Sequence, residues 1–132
     1  MPKSVWRRFW TASLNLIMPG SHSSPCRRFC QIIGLKREQR EYYLDLHRNI
    51  WPEIMDNMKQ MHIRNYSLHV LGDQLVQYFE YTGKDMEADF RLNEQNEWTK
   101  KWEALCRPCH EPLPGRVQGE WWSNMQEVIH CP

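Results

Sequence analysis

Nothing in this chain is apolar for long enough to cross a bilayer. The longest such patch, around Ala12 to Met18, falls far short of the roughly 20 residues that a spanning helix needs. No glycine loop is present to cradle a phosphate. A Ser-His-Asp pattern and a nucleophile elbow are both missing, so covalent hydrolysis is not expected. His62, His69, His110 and His130 share no short spacing with carboxylates, which argues against a histidine-built metal centre. No internal repeat or low-complexity tract appears, and 132 residues support one domain with a modest core. The five cysteines are odd in number and follow no secretory signal, so free thiols in a reducing compartment are expected. Acid is absent from residues 1–36, which carry a net +6, whereas the remaining 11 basic and 16 acidic side chains give −5. That mildly acidic portion lacks the basic surface that a phosphate backbone requires, so nucleic acid is not an expected partner, and neither is a membrane.

What is present divides unevenly. Residues 1–27 read as a basic extension, rich in Arg, Ser and Trp and broken at Pro19-Gly20-Ser-His-Ser-Ser-Pro25. The composition resembles a mitochondrial presequence, with an unaddressed leader or a misplaced start as alternatives. The expected location is therefore cytoplasmic, with the mitochondrion as the alternative. Residues 28–132 read as the folded domain. Arg28 to Leu35 is a short β-branched run stopped by charge, a first strand. A first helix is expected from about Glu38 to Trp51, with an apolar stripe at Tyr43, Leu44, His47, Ile50 and Trp51. Pro52 should break it, with Glu53 to Met61 continuing. Asn65–Leu71 and Gln74–Tyr81 around Gly72-Asp73 predict a tight hairpin, with Tyr66, Leu68 and Val70 on one face. Asp85 is a plausible cap for a second helical region to Cys106, whose expected buried stripe is Trp98, Trp102 and Leu105. A long turn over 109–116 leads to a last strand within Glu120 to Cys131. The order βα, ββ, αβ predicts an α+β, ferredoxin-like split βαβ fold with one open sheet face.

The chain is organised around Tyr43-Leu-Asp-Leu-His47-Arg-Asn-Ile50-Trp51-Pro52-Glu53. On a helix, Tyr43 and His47 project from one face. Aromatic faces stack on sugar C–H surfaces, phenols hydrogen-bond hydroxyls, and imidazole moves protons near neutral pH, so the group suits a polyol. The bland reading, that His47 only caps or packs, has the same spacing. The run Tyr43-x-x-x-His47-x-x-Ile50-Trp51-Pro52-Glu53 resembles the signature of the L-rhamnose mutarotase family. Tyr66 after Asn65 and the terminal Met125-Gln126-Glu127-Val128-Ile129-x-x-Pro132 agree in order and spacing, so the resemblance spans residues 28–132. It implies an isomerase of carbohydrate metabolism that interconverts the α and β anomers of a 6-deoxyhexose, with L-rhamnose the expected sugar. It also implies a homodimer forming a dimeric α/β barrel, with no cofactor. By that resemblance His47 is the proton donor, and Tyr43, Tyr66 and Trp102 bind the sugar. Lys101, also expected at the sugar site, stands where the family has the first of two tryptophans; Trp98, one turn earlier, is either a substitute for it or core, and Trp121-Trp122 has the right residues in the wrong place.

Cys106-Arg107-Pro108-Cys109-His110 has the form of a c-type haem attachment. With Cys26-x-x-x-Cys30 it could instead build a four-thiolate zinc site, or it could act as a redox dithiol. Nothing in the sequence orients the two pairs towards each other, and the reading taken here is fortuitous thiols. Two alternatives to the mutarotase stand beside it. One is a non-catalytic or oxygenase-like small-ligand-binding protein on the same dimeric α/β-barrel fold. The other is a metal- or haem-binding thiol protein using Cys106, Cys109 and His110.

Overall fold

The computed structural model describes residues 26–132. The expected extension over residues 1–27 lies outside the described residues except for Cys26 and Arg27, of which Arg27 already opens the first strand. The described chain runs β1 (Arg27–Leu35), a 3-10 turn (Arg37–Gln39), α1 (Arg40–Arg48), α2 (Pro52–Gln60), β2 (Ile63–Leu71) and β3 (Gln74–Tyr81). It continues with α3 (Met86–Glu94), α4 (Glu97–Cys106), a second 3-10 turn (Arg107–Cys109), β4 (His110–Glu111) and β5 (Ser123–Asn124). All strand pairs are antiparallel. The sheet order is β2-β3-β1-β4, with β5 also pairing β1. Helices α1 and α2 fill the first crossover, and α3 and α4 the second. This is the expected ferredoxin-like α+β arrangement.

Proline and capping residues set the helix boundaries. Pro52 has no N–H and occupies the start of α2, and Trp51 before it is extended at ψ 136°, so the expected first helix stops after Arg48. His47 is left in the last turn of α1. Asp85 caps α3, its carboxylate accepting from Ala88 N. The second helical region is not continuous, contrary to expectation. Asn96 interrupts it and caps α4 by accepting from Trp98 N and Thr99 N. The buried face of α4 is accordingly Thr99, Trp102 and Cys106, while Trp98 is 41% exposed.

The hairpin turns at Gly72, whose φ of 57° at the first central position is the conformation glycine supplies there. Arg37 pairs with Asp73 at 2.8 Å and Arg40 Nε donates to Gly72 O, tying the hairpin tip to the start of α1. A register shift between Arg64 and Ser67 bulges β2 at Asn65, which has φ 49° and donates through Nδ2 to Glu80 Oε2. Alternation along β3 buries Leu75, Gln77, Phe79 and Tyr81 beneath the helices. Across from them on β1 lie Ile33, Gln31 and Phe29. Cys30, Ile32, Val76 and Tyr78 point to the opposite face and remain half-exposed.

The expected last strand within Glu120 to Cys131 is reduced to Ser123–Asn124, and a second short strand lies inside the expected long turn. His110–Glu111 pairs with Leu35 and Gly34, and Ser123–Asn124 pairs with Ile32 and Gln31. Pro112 and Pro114 offer no ladder N–H, so β4 cannot extend, and the chain loops out before rejoining the same edge.

Candidate active site

A cavity of about 120 Å³ lies between the helix side of the sheet and α1, α2 and α4. Tyr43 and His47 reach it from α1, Tyr66 from β2 and Trp102 from α4. These four residues, expected together from the sequence, line one space. Lys101 does not join them. It is exposed, with Nζ 4.8 Å from the ring centroid of Trp98, because the residue beside Trp102 is turned about 100° around the helix. Trp98 is also outside the lining and packs edge-on against Trp51.

The imidazole of His47 is held at Nδ1, 2.8 Å from the carbonyl oxygen of Tyr43 one turn earlier. A carbonyl only accepts, so Nδ1 carries hydrogen and Nε2 of the neutral ring keeps its lone pair. Burial lowers the His47 pKa, the carbonyl bond opposing it, which favours that neutral ring. Its ring lies tilted against Tyr43 at 4.2 Å and edge-on with Trp102 at 5.1 Å between centroids, and Trp51 packs edge-on with Trp102 at 5.1 Å.

Two relays give the tyrosine hydroxyls opposite senses. The Trp121 indole N–H, which can only donate, lies 3.0 Å from His110 Nδ1. His110 is thereby fixed with hydrogen on Nε2, which donates to the Tyr43 hydroxyl at 3.0 Å. The Tyr43 O–H is left to donate into the cavity. Burial first, then the neighbouring His47 and Arg107 charges, pushes His110 down to about 3, so it stays neutral in this role. Tyr66 behaves in the reverse way, donating its O–H to Gln77 Oε1 at 3.1 Å. The chain continues from Gln77 Nε2 to Gln31 Oε1, from Gln31 Nε2 to Asn124 Oδ1, and from Asn124 Nδ2 to Glu120 Oε1. A carboxylate oxygen ends it, and that acceptor sets the direction of every bond before it. Tyr66 oxygen is therefore an acceptor towards the cavity. Burial raises both phenol pKa values, so both stay protonated.

The rest of the lining is largely apolar, with Ile50, Ile54, Met58 and Met61 along one side. Asn57 Nδ2 donates to Asn96 Oδ1 and Thr99 Oγ1, and Thr99 Oγ1 donates to Asn93 Oδ1, joining α2 to the α3–α4 junction beneath the cavity. Trp122 and Glu103 also line the space without having been singled out by sequence spacing, and so does His110, which spacing marked only as part of Cys-x-x-Cys-His. Cys106 lines it too, while Cys109 is buried with its thiol 3.5 Å from Leu105 O. Burial raises the pKa of both thiols, opposite to what a thiolate ligand needs. Among the described residues, no group of three or more His, Cys, Asp or Glu side chains is gathered as a metal ion would require. The arrangement can bind a polyhydroxylated ring of modest size and exchange protons with it.

A family model described as L-rhamnose mutarotase matches residues 28–131. A UPF0734 protein of Dictyostelium discoideum is 29% identical over 109 residues, covering 77% of this chain and 87% of that one. An L-fucose mutarotase of Xanthomonas campestris pv. campestris is 26% identical over 109 residues, covering 78% and 86%. The crystal structure of an L-rhamnose mutarotase from Formosa agariphila superposes with a TM-score of 0.60 at 18% identity, covering 80% of this chain and 99% of that one, a likeness of fold.

Proposed function

Because the chain belongs to the L-rhamnose mutarotase family, we propose that it is an aldose mutarotase interconverting the α and β anomers of a 6-deoxyhexose, with L-rhamnose the favoured sugar. The observation that carries this reading is the convergence of Tyr43, His47, Tyr66 and Trp102 on one cavity, with a hydroxyl donor, a hydroxyl acceptor and an imidazole of fixed tautomer. Mutarotation opens a hemiacetal to its aldehyde and recloses it on the other carbonyl face. It needs a proton removed from the anomeric hydroxyl and one delivered to the ring oxygen, each positioned group contributing about 10²–10⁴-fold. His47 takes up and returns a sugar proton through Nε2, Trp102 offers an apolar face, and Tyr43 and Tyr66 hold hydroxyls of opposite hydrogen-bonding sense.

The 6-deoxy preference follows from the apolar side of the cavity. A methyl group is at home against Ile50, Ile54 and Met58, whereas a hydroxymethyl placed there would lose its water partners at about 1–3 kcal/mol. Saturation-transfer NMR on L-rhamnose at anomeric equilibrium tests the reading, with L-fucose, L-mannose and D-glucose as comparisons. Enzyme-dependent exchange is expected for L-rhamnose, weaker by about 10- to 100-fold for its 6-hydroxy analogue L-mannose, and His47→Ala should abolish it. Absence of exchange with all four sugars would overturn the assignment. The half-exposed sheet face around Cys30, Ile32, Val76 and Tyr78 suits burial against a second copy, and a homodimer is proposed with it.

A further inference from the structure

We propose that Glu103 is a second catalytic residue of this site, delivering a proton to the ring oxygen of the sugar while His47 works at the anomeric hydroxyl. The proposal rests on the mutarotase reading and assigns the group that the sequence leaves unidentified. Glu103 follows Trp102 on α4 and shares its inward face with Thr99 and Cys106, so this half-buried residue lines the same cavity as His47. Its carboxyl forms no hydrogen bond or ion pair among the described residues. Helical spacing offers it Arg107 four residues on. That guanidinium instead sits 4.4 Å from the ring centroid of Trp121, on the wall of an outer groove that Glu103 also borders. An unpartnered carboxyl on a residue that lines the cavity is free to serve whatever the cavity holds.

The surrounding charges fit a proton donor. Tyr43 and His47 face the cavity from α1, Tyr66 from β2 and His110 from β4, with Cys106 on the same helix. Lys36, Glu94, Lys100 and Arg107 lie along the outer groove. Burial dominates over the lowering by Arg107 and pushes the Glu103 carboxyl up to about 7. A large fraction is then protonated at neutral pH, while His47, lowered by burial, holds a free Nε2 lone pair. This is a base and an acid separated by environment. It gives His47 the opening role of base rather than the donor role implied by the family resemblance.

The step balances. His47 Nε2 takes the anomeric hydroxyl proton as C1=O forms, the bond from C1 to the ring oxygen breaks with its electron pair going to that oxygen, and the Glu103 proton transfers there. The aldehyde turns about C1–C2. Reclosure returns the proton of the sugar hydroxyl to the Glu103 carboxylate and the imidazolium proton to the carbonyl oxygen, restoring both groups.

The test is the rate of anomer exchange of L-rhamnose from pH 5 to 9, for the unsubstituted protein and for Glu103→Gln. The substitution should lower kcat by about 100-fold or more with KM changed less than about threefold. It should also remove the alkaline limb of the kcat profile, leaving the acid limb set by His47. A merely structural glutamate would leave that limb in place. Exchange by Glu103→Gln within threefold of the parent, or an alkaline limb that survives the substitution, overturns the assignment alone. Should the variant not fold, a parent profile without an alkaline limb overturns it equally. No exchange by the parent sinks the mutarotase reading, and this assignment with it.

Discussion

At the scale of the residue, two titratable groups that line one cavity pull stability in opposite directions. His110, ordinarily near 6.5, is pushed down to about 3, so below 6.5 the unfolded chain binds a proton that the folded chain refuses. Acidification from 6.5 towards 3 therefore costs stability, at up to about 1.4 kcal/mol per pH unit. Glu103 has the other sign. Its folded value of about 7 lies above the ordinary 4.5, so its contribution is full below 4.5 and is lost as pH rises through 7. Urea denaturation should thus find Glu103→Gln more stable than the parent by about 2–3 kcal/mol at pH 8, and by less than about 1 kcal/mol at pH 5. Equal stability at pH 8 would mean that the ionised carboxyl finds a partner. Legibility at this scale followed spacing. Tyr43 and His47 are four apart on one helix and could be read together, whereas Glu103 and His110 enter the cavity through helix phase and strand pairing. Lys101 was carried over by position, and the helix turns it outward.

Among the elements, the smallest strand carries an important duty. β4 is two residues long, yet it presents His110 to Tyr43 by pairing with the end of β1. Gly34 permits that pairing, because a Cβ there would press into the backbone oxygen and the Cβ of Glu111. Gly34→Ala should cost about 1–3 kcal/mol in a thermal melt and reduce anomer exchange several-fold, although Gly34 does not line the cavity. Full activity in that variant would show that the His110 bond to Tyr43 is dispensable. The strands β1 to β3, the Gly72 turn and the Pro52 break were legible because β-branched runs, glycine and proline declare themselves locally. The interruption at Asn96 was hidden inside a run that scans as helix, where only the cap bonds to Trp98 and Thr99 reveal it. The sharing of one edge between His110–Glu111 and Ser123–Asn124 depends on which stretch reaches β1, a contest that local sequence does not report.

At the scale of the whole molecule, the ferredoxin-like order was readable from the succession of elements, since short connections and an antiparallel sheet leave few topologies. The same sheet has a second face. If two copies bury it, size-exclusion chromatography with light scattering should return twice the 16.1 kDa chain mass. Val76→Asp should halve that value, because a carboxylate placed in a closed apolar interface goes unpaired. A monomeric parent would end that proposal. The two relays reach the cavity through different tyrosines, one starting at the Trp121 indole and the other ending at the Glu120 carboxylate. Between them they give the pocket a polarity that a fluorine atom can read, since fluorine can receive a weak hydrogen bond but can offer none. A deoxyfluoro sugar should therefore be admitted when the halogen replaces the hydroxyl meeting Tyr43, and refused when it replaces the one meeting Tyr66. A walk of single fluorine substitutions around the ring would then show how the sugar lies.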